Sequence, residues 1–138
     1  MLCQNGLFAV YMMKIKLTSL MVNDQVKARE FYTEKLGFVI KQDIPMGEFH
    51  WLTVASPGDD GVEMLLEPTN FPPARIYQVE LYKAGIAATG FYVDDVEGEF
   101  ERLSRIGVRF TAEPSKMGPA TVATFDDTCG NLIQIYQV

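Results

Sequence analysis

Three landmarks recur along this chain at a nearly constant interval. Val22 and Val93 lie 93 − 22 = 71 positions apart, Asp24 and Asp95 lie 95 − 24 = 71 apart, and Gly37 and Gly107 lie 107 − 37 = 70 apart. In each set the valine closes a β-rich run, the aspartate stands where a helix begins, and the glycine stands where it ends. An aspartate at a helix start accepts the free N–H groups of the first turn. Glycine takes the left-handed conformation after the last turn without a Cβ clash. A recurrence on this scale means that one supersecondary unit is built twice.

The first unit begins with a strand over 15–22. Ala28, Phe31, Tyr32 and Leu36 follow at the spacing of one helical face. Strands are predicted over 38–44, stopping before Pro45, then over 49–55 after a Pro45-Met46-Gly47 turn, and over 62–67 after a loop at 56–61. The second unit repeats the order. A strand at 86–93 precedes a helix whose face is Val96, Phe100 and Leu103, and strands at 108–111, 121–125 and 131–136 complete it. Two βαβββ units predict an α+β fold: two tandem modules forming curved mixed sheets around a cleft, helices outside. The expected organisation is one domain over 13–138, divided as 13–67, a linker at 68–85 with a short helix at 75–84, and 86–138. Residues 1–12 are read as an upstream extension or a cloning product, outside the fold.

Composition narrows the class of partner. An apolar fraction of 48% with 22% charged residues is that of a globular protein. A net charge of −6 with scattered basic residues argues against a nucleic-acid groove or an anionic membrane surface as a partner. Lys14 and Lys16 interrupt the early apolar run before it can span a bilayer, and the first residues lack the basic start of a secretory signal. Two cysteines, Cys3 and Cys129, make no disulfide framework, so a reducing cytoplasmic setting is expected.

Alternation along the strands sorts the side chains into two faces. Leu20, Val22, Met64, Leu66, Phe91, Val93, Ile133 and Ile135 are assigned to the helix side. The other face receives Ser19, Met21, Trp51, Thr53, Leu65, Glu67, Tyr92, Gln134 and Tyr136, all expected to line a ligand-binding cleft. That mixture of apolar walls with a few polar groups suits a small organic molecule. Glu67 reads as a cleft group that binds a cation or a ligand amine, as a general base if desolvation raises its pKa (the best catalytic candidate), or as a strand-end carboxylate paired with a nearby Arg or Lys. His50 shares the face of Leu52 and Val54, which favours a partly buried structural role over acid–base work. Cys129 sits in a turn with no base beside it and is not expected to act as a nucleophile.

Three segments then carry a family likeness: Leu20-Met-Val-Asn-Asp24, Ala28-Arg-Glu-Phe-Tyr-Thr-Glu-Lys-Leu-Gly-Phe38, and Phe125-Asp-Asp-Thr-Cys-Gly-Asn-Leu-Ile-Gln134. Over about 13–138 the chain resembles the glyoxalase/bleomycin-resistance/extradiol-dioxygenase superfamily, the vicinal oxygen chelate proteins. The resemblance implies four metal-ligand positions, which fall here on Leu17, Glu67, Ala88 and Gln134. Leu17 and Ala88 cannot bind a cation, so no metal site and no cofactor are expected. The favoured reading is a metal-free small-molecule-binding protein of the bleomycin-resistance-like sort. The alternative is a metal-dependent lyase, isomerase or dioxygenase with a reduced or relocated site. Relatives often assemble the cleft across two chains, which implies a homodimer.

Overall fold

A computed structural model describes residues 12–58 and 61–138. The expected 1–12 extension, except for Met12, and two residues of the 56–61 loop lie outside the described part.

The order β-α-β-β-β occurs twice. β1 (Leu17–Val22), α1 (Gln25–Glu30), β2 (Val39–Met46), β3 (Phe49–Ala55) and β4 (Glu63–Pro68) form the first unit. After α2 (Pro72–Lys83) come β5 (Thr89–Tyr92), α3 (Val96–Arg105), β6 (Phe110–Met117), β7 (Ala120–Asp126) and β8 (Leu132–Gln137). The strands make two four-stranded mixed sheets, ordered β1-β4-β3-β2 and β5-β8-β7-β6. In each, the first strand pairs parallel with the last and the other pairs are antiparallel.

The caps form as the sequence predicts. Asp24 accepts from the backbone N–H of Val26 and Lys27 at 3.0 and 3.1 Å, and Asp95 accepts from Gly98 at 3.1 Å. Glu97 and Glu99 in the first turn of α3, with Arg102 and Arg105 in its last, complement the helix dipole. Gly37 and Gly107 end their helices at φ +83° and +96°.

The one-residue discrepancy in the repeat has a structural cause. From cap to stop the first unit spans 37 − 24 = 13 positions and the second 107 − 95 = 12. The extra residue is absorbed by π-helical turns over Phe31–Lys35, where the N–H of Leu36 reaches the carbonyl of Phe31 at 3.2 Å. The widened turn lets consecutive residues Phe31 and Tyr32 both point inward. The second unit regains the position in β6, whose pairing slips twice against once in β2. By the hairpins the interval is restored: Met46-Gly47 and Met117-Gly118 lie 117 − 46 = 71 apart.

Several boundaries differ from expectation. β2 runs through Pro45 to Met46 and turns at Gly47-Glu48, because β2 is an edge strand where a missing N–H costs little. β6, the corresponding edge strand of the second sheet, passes through Pro114 for the same reason and extends to Met117, well beyond 111. The linker helix begins at Pro72 rather than 75, with proline accepted in the first turn. β5 starts at Thr89, three residues later than predicted.

One core serves both sheets. Leu20, Val22, Leu52, Val54, Met64 and Leu66 from the first meet Ala123, Phe125, Ile133 and Ile135 from the second, with Phe91 and Val93 packed against them. Between the sheets lie Ala28, Phe31 and Tyr32 of the first helical segment and Val96 and Leu103 of α3. Phe31 contacts Phe125 with ring centroids 5.9 Å apart, and Phe38 meets Phe91 edge-on at 5.2 Å. The helix-side assignment from alternation therefore holds, and the helices cover the faces opposite to those predicted for the cleft.

A polar cluster closes one end of this core. Tyr32 donates to Asp127 Oδ2 at 2.6 Å, and Asp127 Oδ1 accepts from the N–H of Cys129 and Asn131 at 2.7 and 3.0 Å. Gln78 of α2 donates to the carbonyls of Met21 and Cys129 at 3.0 and 3.2 Å. Asn131 donates to the carbonyl of Met21 at 2.8 Å. The linker helix, the end of β1 and the β7–β8 turn are thereby fastened together, and nearly every group in the cluster is buried.

Candidate functional site

The faces turned away from the shared core are built in rows. On the first sheet Ser19 stands beside Leu65, and Leu65 beside Thr53. The next row begins with Met21 beside Glu67. On the second sheet Gly90, Gln134 and Thr124 share a row, and Tyr92, Tyr136 and Val122 share the next. The base is buried, through Leu65 and Leu132. Met21, Trp51, Glu67, Gln134 and Tyr136 are half-buried, and Ser19 and Tyr92 are exposed. That gradient describes a shallow dish on each sheet.

Close packing shapes the second dish. A Cβ on Gly90 would lie 3.7 Å from Cδ1 of Tyr136, so the tyrosine ring lies across the glycine. Tyr92 meets that ring edge-on at 5.8 Å. A neighbouring Asp94 pushes the Tyr92 phenol above its ordinary pKa.

Gln25 shapes the first dish from behind. The β3–β4 pairing covers Thr53 with Leu65 and Val54 with Met64. Beyond it, the Gln25 amide stands between the strands. It donates to the carbonyls of His50 and Leu66 at 2.9 and 2.8 Å and accepts from the N–H of His50 at 3.0 Å. Trp51 and Glu67 thus flank a gap filled by a side chain instead of a ladder.

Thr53 is fully buried because a carboxylate lies over it. Glu63 Oε1 accepts from Thr53 Oγ1 and from Gln42 Nε2, both at 2.7 Å. The Gln42 and Thr53 bonds hold the Glu63 carboxyl below its usual pKa, with Lys41 and Lys16 nearby adding to the effect. Glu63 was not singled out from sequence. Its signal was the alternation that selects Leu65 and Glu67, extended two residues back.

Among the described residues Glu67 makes no hydrogen bond or ion pair, so the alternative of a strand-end carboxylate paired with Arg or Lys is not seen there. Register also revises its place in the repeat. Gln134 shares its row with Thr124, and Leu65 shares its row with Thr53, which is 124 − 53 = 71 positions earlier. Leu65, not Glu67, is therefore the internal counterpart of Gln134.

His50 projects on the helix side, as its parity predicts, but is exposed rather than partly buried. Its Nδ1 lies 2.5 Å from Asp43 Oδ1, and Arg29 also bonds Asp43. The His50 bond, then Arg29, lower the Asp43 pKa. Cys129 is buried, and burial pushes its thiol up to about 12, which suits a packed side chain and not a nucleophile.

Of the four ligand positions that the resemblance implies, Leu17 and Ala88 offer no donor, while Glu67 and Gln134 carry a carboxylate and an amide. Ala88 precedes β5 and packs against the core. Among the described residues no group of three His, Cys, Asp or Glu side chains is placed to hold an ion.

Among the described residues no hydrogen bond or ring contact joins Met21, Trp51 or Glu67 to Tyr92, Gln134 or Tyr136. Cavities inside the chain lie elsewhere. One of about 490 Å³ lies against Gln25, Phe49, His50 and Asn70, and one of about 320 Å³ against Arg75, Gln78, Tyr82 and Thr128. Another, of about 260 Å³, opens between Phe38, Val54, Met64 and Phe91 on the core side. No helix among the described residues is long and apolar enough to cross a membrane.

Comparison with known proteins agrees with this architecture. The uncharacterized protein YurT of Bacillus subtilis (strain 168) is 57% identical over 126 residues, covering 91% of this chain and 99% of that protein. The crystal structure of UcmS2 superposes with a TM-score of 0.78 at 32% identity, covering 91% of this chain and 98% of that one. TnmS3, an antibiotic binding protein from Streptomyces sp. CB03234, matches at TM-score 0.71 and 29% identity, covering 92% and 97%. The family model for the Glyoxalase/Bleomycin resistance protein/Dioxygenase superfamily matches residues 14–135. With nearly the whole chain matched, this protein belongs to that superfamily.

Proposed function

We propose that this chain is a metal-free receptor for a small organic molecule, held against the outward faces of the two sheets and enclosed by a second copy of the chain. One observation carries the reading: half-buried aromatic and polar side chains gather on the outward faces, while two of the four ligand positions that the resemblance implies, Leu17 and Ala88, offer no donor. A packed core needs neither Trp51 nor Tyr136 there, because the apolar residues of both sheets already meet on the other side. The antibiotic-binding relative supports a small-molecule role. A dimer suits this reading, since one chain presents two separate walls, one on each sheet. The sparse cysteines suit action in the cytoplasm.

The chain has a single tryptophan, so binding at Trp51 reports directly through its emission. A panel of aromatic antibiotics is expected to contain members that quench Trp51 and raise the melting temperature equally with and without chelator. Sedimentation is expected to show a dimer. Stoichiometric bound metal lost on Glu67→Ala, or metal-dependent turnover of a methylglyoxal–glutathione hemithioacetal or a catechol, would replace this reading with the enzymatic one.

A further inference from the structure

The two dishes share an unusual charge balance. Neither presents a lysine or arginine at a regular outward strand position, while the first presents both Glu63 and Glu67. The basic residues nearest these strands are committed elsewhere. Arg29 is held by Asp43 on the helix side, and Arg109 is held by Asp126 at 2.5 Å. Lys116 alternates away from the dish, since its neighbours Ser115 and Met117 occupy the outward positions. Lys41, the extra residue of the β2 bulge, and Lys16 act on Glu63, which also has Gln42 and Thr53.

Glu67 is left without a counter-charge. It is half-buried beside Met21 and has no partner among the described residues. A carboxylate held partly out of water is costly unless a cation or donors complete it. Its surroundings favour the cation. Trp51 lies across the Gln25-filled gap, and Tyr92 with Tyr136 forms the aromatic part of the other wall. Aromatic faces attract positive charge through their quadrupoles, and the Met21 thioether is a polarizable contact for a flat ring. A bare metal ion lacks the donor set described above.

We propose that the dishes select a planar aromatic cation, its charge against Glu67 and its ring against Trp51 and Tyr136. This rests on the receptor reading and adds to it the chemical class of the ligand.

The test uses three flat probes of similar size, followed by Trp51 quenching in the full chain: proflavine, a cation; acridine, neutral at pH 7; and anthraquinone-2-sulfonate, an anion. Proflavine is expected to bind about tenfold more tightly than acridine, with the sulfonate weakest. Raising the salt from about 50 to about 500 mM weakens proflavine and leaves acridine unchanged. Glu67→Gln, which keeps the shape, brings proflavine down to the level of acridine without lowering the melting temperature. Glu67→Lys reverses the order of cation and anion. Equal binding of proflavine and acridine, or a Glu67→Gln protein that still prefers the cation, overturns the charge assignment while leaving the receptor standing. If none of the three quenches Trp51 or shifts the melting temperature, the receptor reading falls and this one with it.

Discussion

Asp127 is fully buried, and its setting can be taken apart one bond at a time. Burial raises its pKa, while the bonds from Tyr32, Asn131 and two backbone N–H groups pull the other way without cancelling it. A carboxyl raised in the folded state binds its proton more tightly there than in the unfolded chain. Its contribution to stability is therefore fullest at low pH and declines as pH rises through the folded value. Tyr32→Phe removes one of the bonds that favour the ionised form. The variant should lose about 1–3 kcal/mol near pH 7 and distinctly less near pH 3, below the ordinary value of the carboxyl and further below its raised one. Thermal unfolding at the two pH values checks this, and an equal loss at both would show that Asp127 does not ionise in the fold. Residue parity made most of the dish legible from sequence. It did not show Glu63 lying over Thr53, nor that Leu65 is the counterpart of Gln134, because those facts depend on strand register across the sheet.

Among the elements, caps and stops were readable because each acts within a few residues. Asp24, Asp95, Gly37 and Gly107 do what local chemistry requires. The misread strand end at Pro45 was not local: proline is tolerated only because β2 lies at a sheet edge, which sequence order alone does not reveal. The π turns at Phe31–Lys35 were foreshadowed by the shorter glycine interval, but the interval does not say which element absorbs the extra residue. The Gln25 insertion between β3 and β4 was invisible from sequence, since a glutamine at a helix start has no distinctive pattern. Gln25→Ala is expected to cost about 1–2 kcal/mol. It should also speed amide hydrogen exchange at His50, which donates to Gln25, while Thr53 inside the ladder stays protected. Unchanged exchange at His50 would mean that the amide is not what holds these strands.

For the whole molecule, the repeat predicted two similar units, and the structure adds that they are not independent. Phe31 and Tyr32 of the first unit are buried against Phe125, Phe91 and Asp127 of the second. Cutting the chain after the linker would expose those rings and leave Asp127 without its phenol. A fragment of residues 13–85 is expected to show no cooperative thermal transition by circular dichroism, whereas the full chain melts in one step. A fragment that folds sharply would show that the common interior is dispensable.

The placement of the dishes on two different sheets also bears on how such a protein can change over time. Among the described residues no hydrogen bond or ring contact ties Trp51 or Met21 to Tyr136. Either wall can therefore drift toward a new chemical taste while the shared interior keeps the molecule foldable, and a duplicated scaffold gains two surfaces free to specialise separately.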